Sequence, residues 1–232
     1  MRGLIIAASC LLSATAVFAD TAQERLTNAT DVFKEIMATP DKGIPQDLLA
    51  KAQCIVIVPG MKKAAFIVGG QYGKGFAECR QPDGTGWGAP AAVRVEGGSV
   101  GFQIGGSSTD VVMLIMNKRG MDRLISDKFT IGADASVAAG PVGRTAAAAT
   151  DTQLHAEILS WSRTRGLFAG IALNGATLRP DEDSDRELYG KTVTNREILT
   201  SNMRSPEGAH QLRSALDRYS MSKGANNADR SK

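Results

Sequence analysis

Residues 97–101 read GGSVG, the spacing of the G-x-S-x-G turn on which hydrolases mount a nucleophile, and would make Ser99 the attacking oxygen. That chemistry needs a strand before the serine, a helix after it and a base within reach. The following VGFQIGG is too rich in glycine for a helix, and His155 and His210 are the two histidines available. GGSVG therefore reads as a glycine-rich bend entering a strand. DEDSD at 181–185 places carboxylates at positions one, three and five of a calcium loop. Position six would be Arg186 and position twelve Thr192, so the sharp turn and the bidentate ligand are both missing. The stretch is expected to be a solvated acidic loop after Pro180, or at most a weak ion site. Two distant histidines give no zinc spacing, and GGQYGKG does not match a dinucleotide or phosphate loop. No catalytic residue, metal or cofactor is expected, which favours a binding module.

The elements that must carry such a module are legible in outline. MRGLIIAASCLLSATAVFA has one charge at Arg2, an apolar stretch from Leu4 to Phe18 and small residues before Asp20, the layout of a cleavable secretory leader ending at Ala19. Beyond it the longest apolar run, Val111 to Met116, is of strand length and far short of a bilayer span. The product is therefore expected to be exported, periplasmic or secreted, and at most peripheral to a membrane. Lys and Arg total 27 against 24 Asp and Glu, and loss of Arg2 narrows the difference, so the charge makes no claim on nucleic acid. Cys54 and Cys79 remain after cleavage, each beside a strand-like run, and in an oxidising compartment a disulfide between them is expected.

Residues 20–38 repeat apolar side chains every three or four positions, the stripe of an amphipathic helix. From Ile55 to about Arg179 the text turns strand-like and glycine-punctuated, interrupted by one helical stretch, NKRGMDRLIS. REIL and GAHQLRSALDRYS restore helical spacing before a polar tail. Aromatics are only 5% of the chain, so small aliphatics and glycine must fill the core. The pattern predicts an α+β fold: a large curved, mostly antiparallel, glycine-rich sheet or barrel with flanking N- and C-terminal helices. The expected partition is a leader at 1–19, a single domain over 20–221 and a flexible tail at 222–232.

Within the sheet, KFTIGADASVAAGPVGR at 128–144 has almost no side chain larger than valine after Ile131. Read as one strand, it puts Phe129, Ile131, Ala133, Ala135, Val137 and Ala139 on one face. The other face, Thr130, Gly132, Asp134, Ser136, Ala138 and Gly140, is small enough for close packing by a neighbour or approach of a ligand. This stretch closely resembles the signature of the SYLF-domain family, a lipid-binding module also described as an actin-binding domain in fungal endocytic proteins. The resemblance continues in order through IVPGMKKAAFIVGGQYGKG, WGAPAAV, GSVGFQIGGSSTDVVMLIMN and SRTRGLFAGIALNGATLRPDEDSDRELYG, from about Leu48 to Leu199.

The resemblance implies binding to anionic phospholipids, phosphoinositides in eukaryotic members, and a membrane-contacting amphipathic helix at the domain's start. Leu26, Phe33, Ile36 and Met37 are the matching insertion candidates, but Asp20, Glu24, Asp31 and Glu35 outnumber Arg25 and Lys34 there. Such an acidic helix is better suited to docking on the sheet than to an anionic surface. Cations elsewhere, Lys62, Lys63, Lys118, Arg119, Arg123, Lys128 and Arg144, would hold a lipid phosphate if they converge, and are scattered solvated charges if they do not. The expectation is a non-enzymatic module of the cell envelope whose partner is anionic phospholipid or a membrane surface. The alternative is an envelope protein partner without lipid. Actin, which an exported bacterial protein does not ordinarily meet, is not expected as a partner.

Overall fold

The computed structural model describes residues 20–39, 43–65, 68–84, 86–100, 105–142, 155–164, 167–170 and 173–220. The chain enters through helix α1 (Ala22–Ala38), which Thr21 and Glu24 start by capping each other's backbone amides at 3.1 and 2.9 Å. Its stripe of Ala22, Leu26, Ala29, Phe33 and Ile36 is fully buried. The short α2 (Gln46–Lys51) then leads into the sheet.

Strands β1 (Cys54–Ala65), β2 (Val68–Cys79), β3 (Ala91–Val100) and β4 (Gly105–Ile115) form its centre. After α3 (Lys118–Leu124) come β5 (Phe129–Thr130), β6 (Val137–Ala139), β7 (Ile158–Thr164), β8 (Leu167–Gly170) and β9 (Thr177–Pro180). The order across the sheet is β5-β9-β3-β2-β1-β4-β7-β6, with β8 also on β7, and every pairing is antiparallel except β6 with β7. The sheet curls into a half-barrel. Phe129 near one edge and Ile158 near the other share an apolar cluster with Val56 and Val93 from the middle, which makes that face the concave one. On the opposite face Ile55, Ile57 and Trp161 pack under α1 and the C-terminal helix. CIVIV lacks polar alternation because both of its faces are buried. Cys54 and Cys79 stand opposite each other on β1 and β2 and are disulfide-bonded.

The small-residue stretch departs from the single strand expected of it. β5 and β6 are consecutive in the chain yet occupy opposite edges of the sheet, so residues 131–136 cross the gap between the edges. On one side Ile131 donates to the Ala176 carbonyl and accepts from Gly175, both at 2.8 Å. On the other, the Ser136 carbonyl accepts from Ile158 at 3.0 Å, and the Ser136 amide donates to Glu157 at 2.8 Å. Between them Gly132, at φ 87°, turns the chain, and the Asp134 carboxylate accepts from the Thr130 amide at 2.7 Å. The turn breaks the period of two. Phe129, Ile131 and Ala135 are buried, Ala133 is exposed, and beyond the turn Ala138 rather than Val137 is the buried residue. Close approach does occur, at Gly140: a Cβ there would run into the Trp161 ring, whose Nε1 donates to the Pro141 carbonyl at 3.0 Å.

DEDSD also differs from the solvated loop expected. It opens helix α4 (Glu182–Tyr189), with Asp181 and Asp185 buried. β9 ends at Pro180, so the edge of β3 would be bare at Ala92. Asp185 accepts the Ala92 amide at 2.7 Å, while the Ala92 carbonyl accepts from the Asp181 amide at 3.0 Å. Asn195, first residue of α5 (Asn195–Thr200), adds a bond to the same carbonyl at 2.9 Å. These helices therefore continue the sheet's hydrogen bonding where the strand stops. Burial pushes the Asp185 carboxyl up to about 7; the Ala92 amide opposes this, and the charges of Asp181 and Glu182 add to it. Glu78, buried on β2, is raised well above the ordinary carboxylate range by the same loss of water. The last helix, α6 (Ala209–Ser220), buries Leu212 and Leu216 beside α1 and accepts the Trp87 ring N–H on Ser220 at 3.1 Å.

Two outcomes follow from this packing. Gly140→Ala drives a methyl into the Trp161 ring and should cost about 1–3 kcal/mol in urea denaturation, with the loss reduced in a Trp161→Leu background. Asp185 holds its proton in the fold from its ordinary value of 3.8 up to about 7, where the unfolded chain has released it. That contribution is full below the unfolded value and is lost as pH rises through the folded one. Asp185→Asn should thus match the parent near pH 4 and gain on it by up to about 4 kcal/mol above pH 7, read from melting curves across that range.

Candidate functional site

The structure divides the cations singled out in the sequence into two groups. Lys62 and Lys63 lie on β1 beyond a bulge at Pro59 and Gly60, opposite Tyr72 and Gln71 of β2 and Ser108 and Ser107 of β4. Lys118, Arg119 and Arg123 lie on α3, which starts three residues after Ile115, the neighbour of Cys54 at the other end of β1. At about 3.3 Å per residue, roughly 25 Å of strand separates the two groups. Lys128 belongs with the second: the Ser126 hydroxyl donates to the carbonyls of Arg123 and Lys128 at 2.6 and 3.2 Å, folding the chain back against the helix end. Arg144 lies outside the described residues.

The second group is a compact unit. Leu124 and Ile125 are buried in the concave cluster and hold α3 down, and the Asn117 side chain caps its start by accepting from Gly120 at 2.9 Å. Lys118, Arg119, Arg123 and Lys128 are all exposed, beside Asp122 and Asp127. Arg119 also reaches the buried Glu157 at 3.2 Å, while its own side chain remains exposed. Leu26, Phe33 and Ile36, named as insertion candidates, are instead core residues under the sheet's outer face, and Met37 packs half-buried beside them.

A groove of about 860 Å3 runs between α1 and the sheet near Lys62, with residues that sequence reading had not assembled into a site. Arg163 of β7 donates to Asp110 of β4 at 2.7 Å through both Nε and Nη2, and pairs with Glu35 of α1. Asp110 also accepts the Gly60 amide at 2.8 Å; burial pushes its carboxyl up, against that amide and the Lys62 charge. Lys74 is tied to Asp181 at 2.8 Å and Arg25 to Ser184 at 3.1 Å. Burial alone would raise Asp181, but hydrogen bonds from Lys74 and Ser184 leave it below its ordinary value. Every cation of this groove is thus bonded within the protein, and the network clamps α1 to the sheet.

Among the described residues, the hydrolase reading of Ser99 finds no support. Ser99 lies within β3 and the next element is strand β4, so the strand-to-helix turn of a hydrolase is not formed. Ser99 stands near the Lys62 end of the sheet, whereas His155 precedes β7 at the disulfide end and His210 is exposed on α6. Among the described residues no group of three His, Cys, Asp or Glu is placed to hold a metal ion, and no helix is long and apolar enough to cross a membrane.

The family model Ysc84, described as "Las17-binding protein actin regulator", matches residues 96–219, more than half the chain. An SH3 domain-containing protein of Schizosaccharomyces pombe is 36% identical over 177 residues, which is 75% of this chain and 41% of that protein. Human SH3 domain-containing YSC84-like protein 1 is 32% identical over 190 residues, 81% of this chain and 55% of the relative. LAS seventeen-binding protein 3 of Saccharomyces cerevisiae is 33% identical over 181 residues, 76% of this chain and 39% of the relative. The chain thus spans between about two fifths and just over half the length of these relatives. It belongs to the Ysc84 family, the one that the SYLF-like motifs indicated.

Proposed function

We propose that this chain is a non-catalytic binding module of the cell envelope that engages anionic phospholipid headgroups through the α3 unit. The observation that carries the reading is the gathering of Lys118, Arg119, Arg123 and Lys128, all exposed, on one short unit anchored by two buried apolar residues. Each cation near an anionic surface contributes about 1 kcal/mol, and a rigid base keeps the group from scattering. The leader-like residues 1–19 would deliver the protein to such a surface. α1 serves as scaffold in this reading, because its apolar stripe is already covered. Lys62 and Lys63 are secondary, being distant from α3 and adjoining a groove whose charges are internally bonded.

A protein partner is the competing occupant of the same surface. It is favoured by the family description and by the yeast relative's name, which attach Las17 binding to those proteins. Co-sedimentation of the processed protein with neutral vesicles and with vesicles of graded phosphatidylglycerol content separates the two. Pelleting should rise with anionic lipid and fall with salt. Replacing Lys118, Arg123 and Lys128 together by Gln should weaken it roughly a hundredfold, and Lys62→Gln with Lys63→Gln only a few-fold. Equal recovery on neutral and anionic vesicles would sink the lipid reading and direct the search to cross-linked protein partners.

A further inference from the structure

A second groove, of about 560 Å3, lies between α1 and α6 on the outside of the molecule. Gly208, just before α6, meets Gln23 at the start of α1, and Tyr219 meets Phe33 edge-on at 6.0 Å, so the two helices run side by side in the same direction. The groove's charged lining is Lys34 from α1 and Arg218 from α6, with His210 also on its wall, and it includes no carboxylate. This follows from how the helices sort their charges. Asp31 and Glu35 of α1 turn into the other groove, where Glu35 pairs with Arg163. Asp217 of α6 turns beneath the helix to accept the Trp87 amide at 3.3 Å. Among the described residues, no ion pair engages Lys34 or Arg218. The first groove consumes its cations internally; this one presents them.

The lining also holds neutral hydrogen-bonding groups, the Gln211 amide and the Ser214 hydroxyl, together with Ala38, Ala215 and Tyr219. Paired cations and neutral donors with no acid suit a compact anion, and the volume is that of a small-molecule site. We propose that the α1–α6 groove is a second anion site, taking a phosphate or phosphate-ester group between Lys34 and Arg218. The site is separate from the α3 unit and does not depend on the lipid reading. Its ligand is a soluble phosphate compound or the headgroup of a lipid, and the two sources share the chemistry of recognition.

The test is a backbone-amide NMR titration of the processed protein, first with inorganic phosphate and then with monomeric dihexanoyl phosphatidic acid. Saturable movement of the Lys34, Gln211, Ser214 and Arg218 signals is expected. Equal response to both probes assigns a free phosphate, and stronger response to the lipid assigns a headgroup; both support the site. Lys34→Gln with Arg218→Gln should weaken binding at least tenfold, whereas Arg218→Lys should hold it within about threefold. The triple α3 substitution should leave this titration unchanged even where it abolishes pelleting with vesicles, so the two proposals fail separately. No saturable movement with either probe, or movement that persists in the double variant, overturns the inference.

Discussion

Residues 131–136 must carry the chain from one edge of a curled sheet to the other, and much of the architecture answers to that short span. The two edges are joined by covalent chain and by hydrogen bonds on either side of a turn, rather than by a ladder of their own. The crossing depends on small residues at particular points. Gly132 supplies a backbone angle that side chains resist, Asp134 holds the turn, and Gly140 yields its space to the Trp161 ring. The indole in turn connects this segment to β7 and to the cluster beneath α1. A family signature here is therefore a statement about closing the sheet, and its near absence of bulk is mechanical in origin.

Helix α1 shows how one element separates chemistry by side. Its apolar stripe packs on the sheet, its acids face Arg163 and the clamp network, and Lys34 faces α6. The same sorting recurs on α6, where Asp217 turns inward and Arg218 outward. A nearly balanced net charge thus conceals surfaces of different sign, because neutralisation happens within particular grooves and not over the molecule as a whole.

What the sequence disclosed follows from the range of each signal. The 20–38 helix, the strand character of 55–179, the Cys54–Cys79 pairing and the helical ending were legible, since each rests on periodicity or on local composition. The crossing at 131–136 was misread as one strand, because alternation of small residues looks alike with or without a turn between. DEDSD was misread because the buried Asp185 carboxylate serves an edge amide some 90 residues earlier, a demand invisible within the segment itself. Asp110 and Arg163 left only the faint mark of single charges interrupting apolar runs. The division of the cations into two groups required the register of β1 with β4.

The pairing of β5 with β9 places a condition on how the molecule is made. Phe129 and Thr130 find their partners at Thr177 and Leu178, on the same strand that completes β3, where Pro180 pairs with Val93 from 87 residues earlier; β1 to β4 pair with one another within 61 residues. Strands β1 to β4 can pair once residue 115 has been made, but the β3 edge stays open until Thr177–Pro180 of the 232 residues has appeared. Loop-closure entropy makes such distant pairing late and slow. The concave apolar face is consequently the last large surface to be covered, and it is there that a holding chaperone would have the longest time to act.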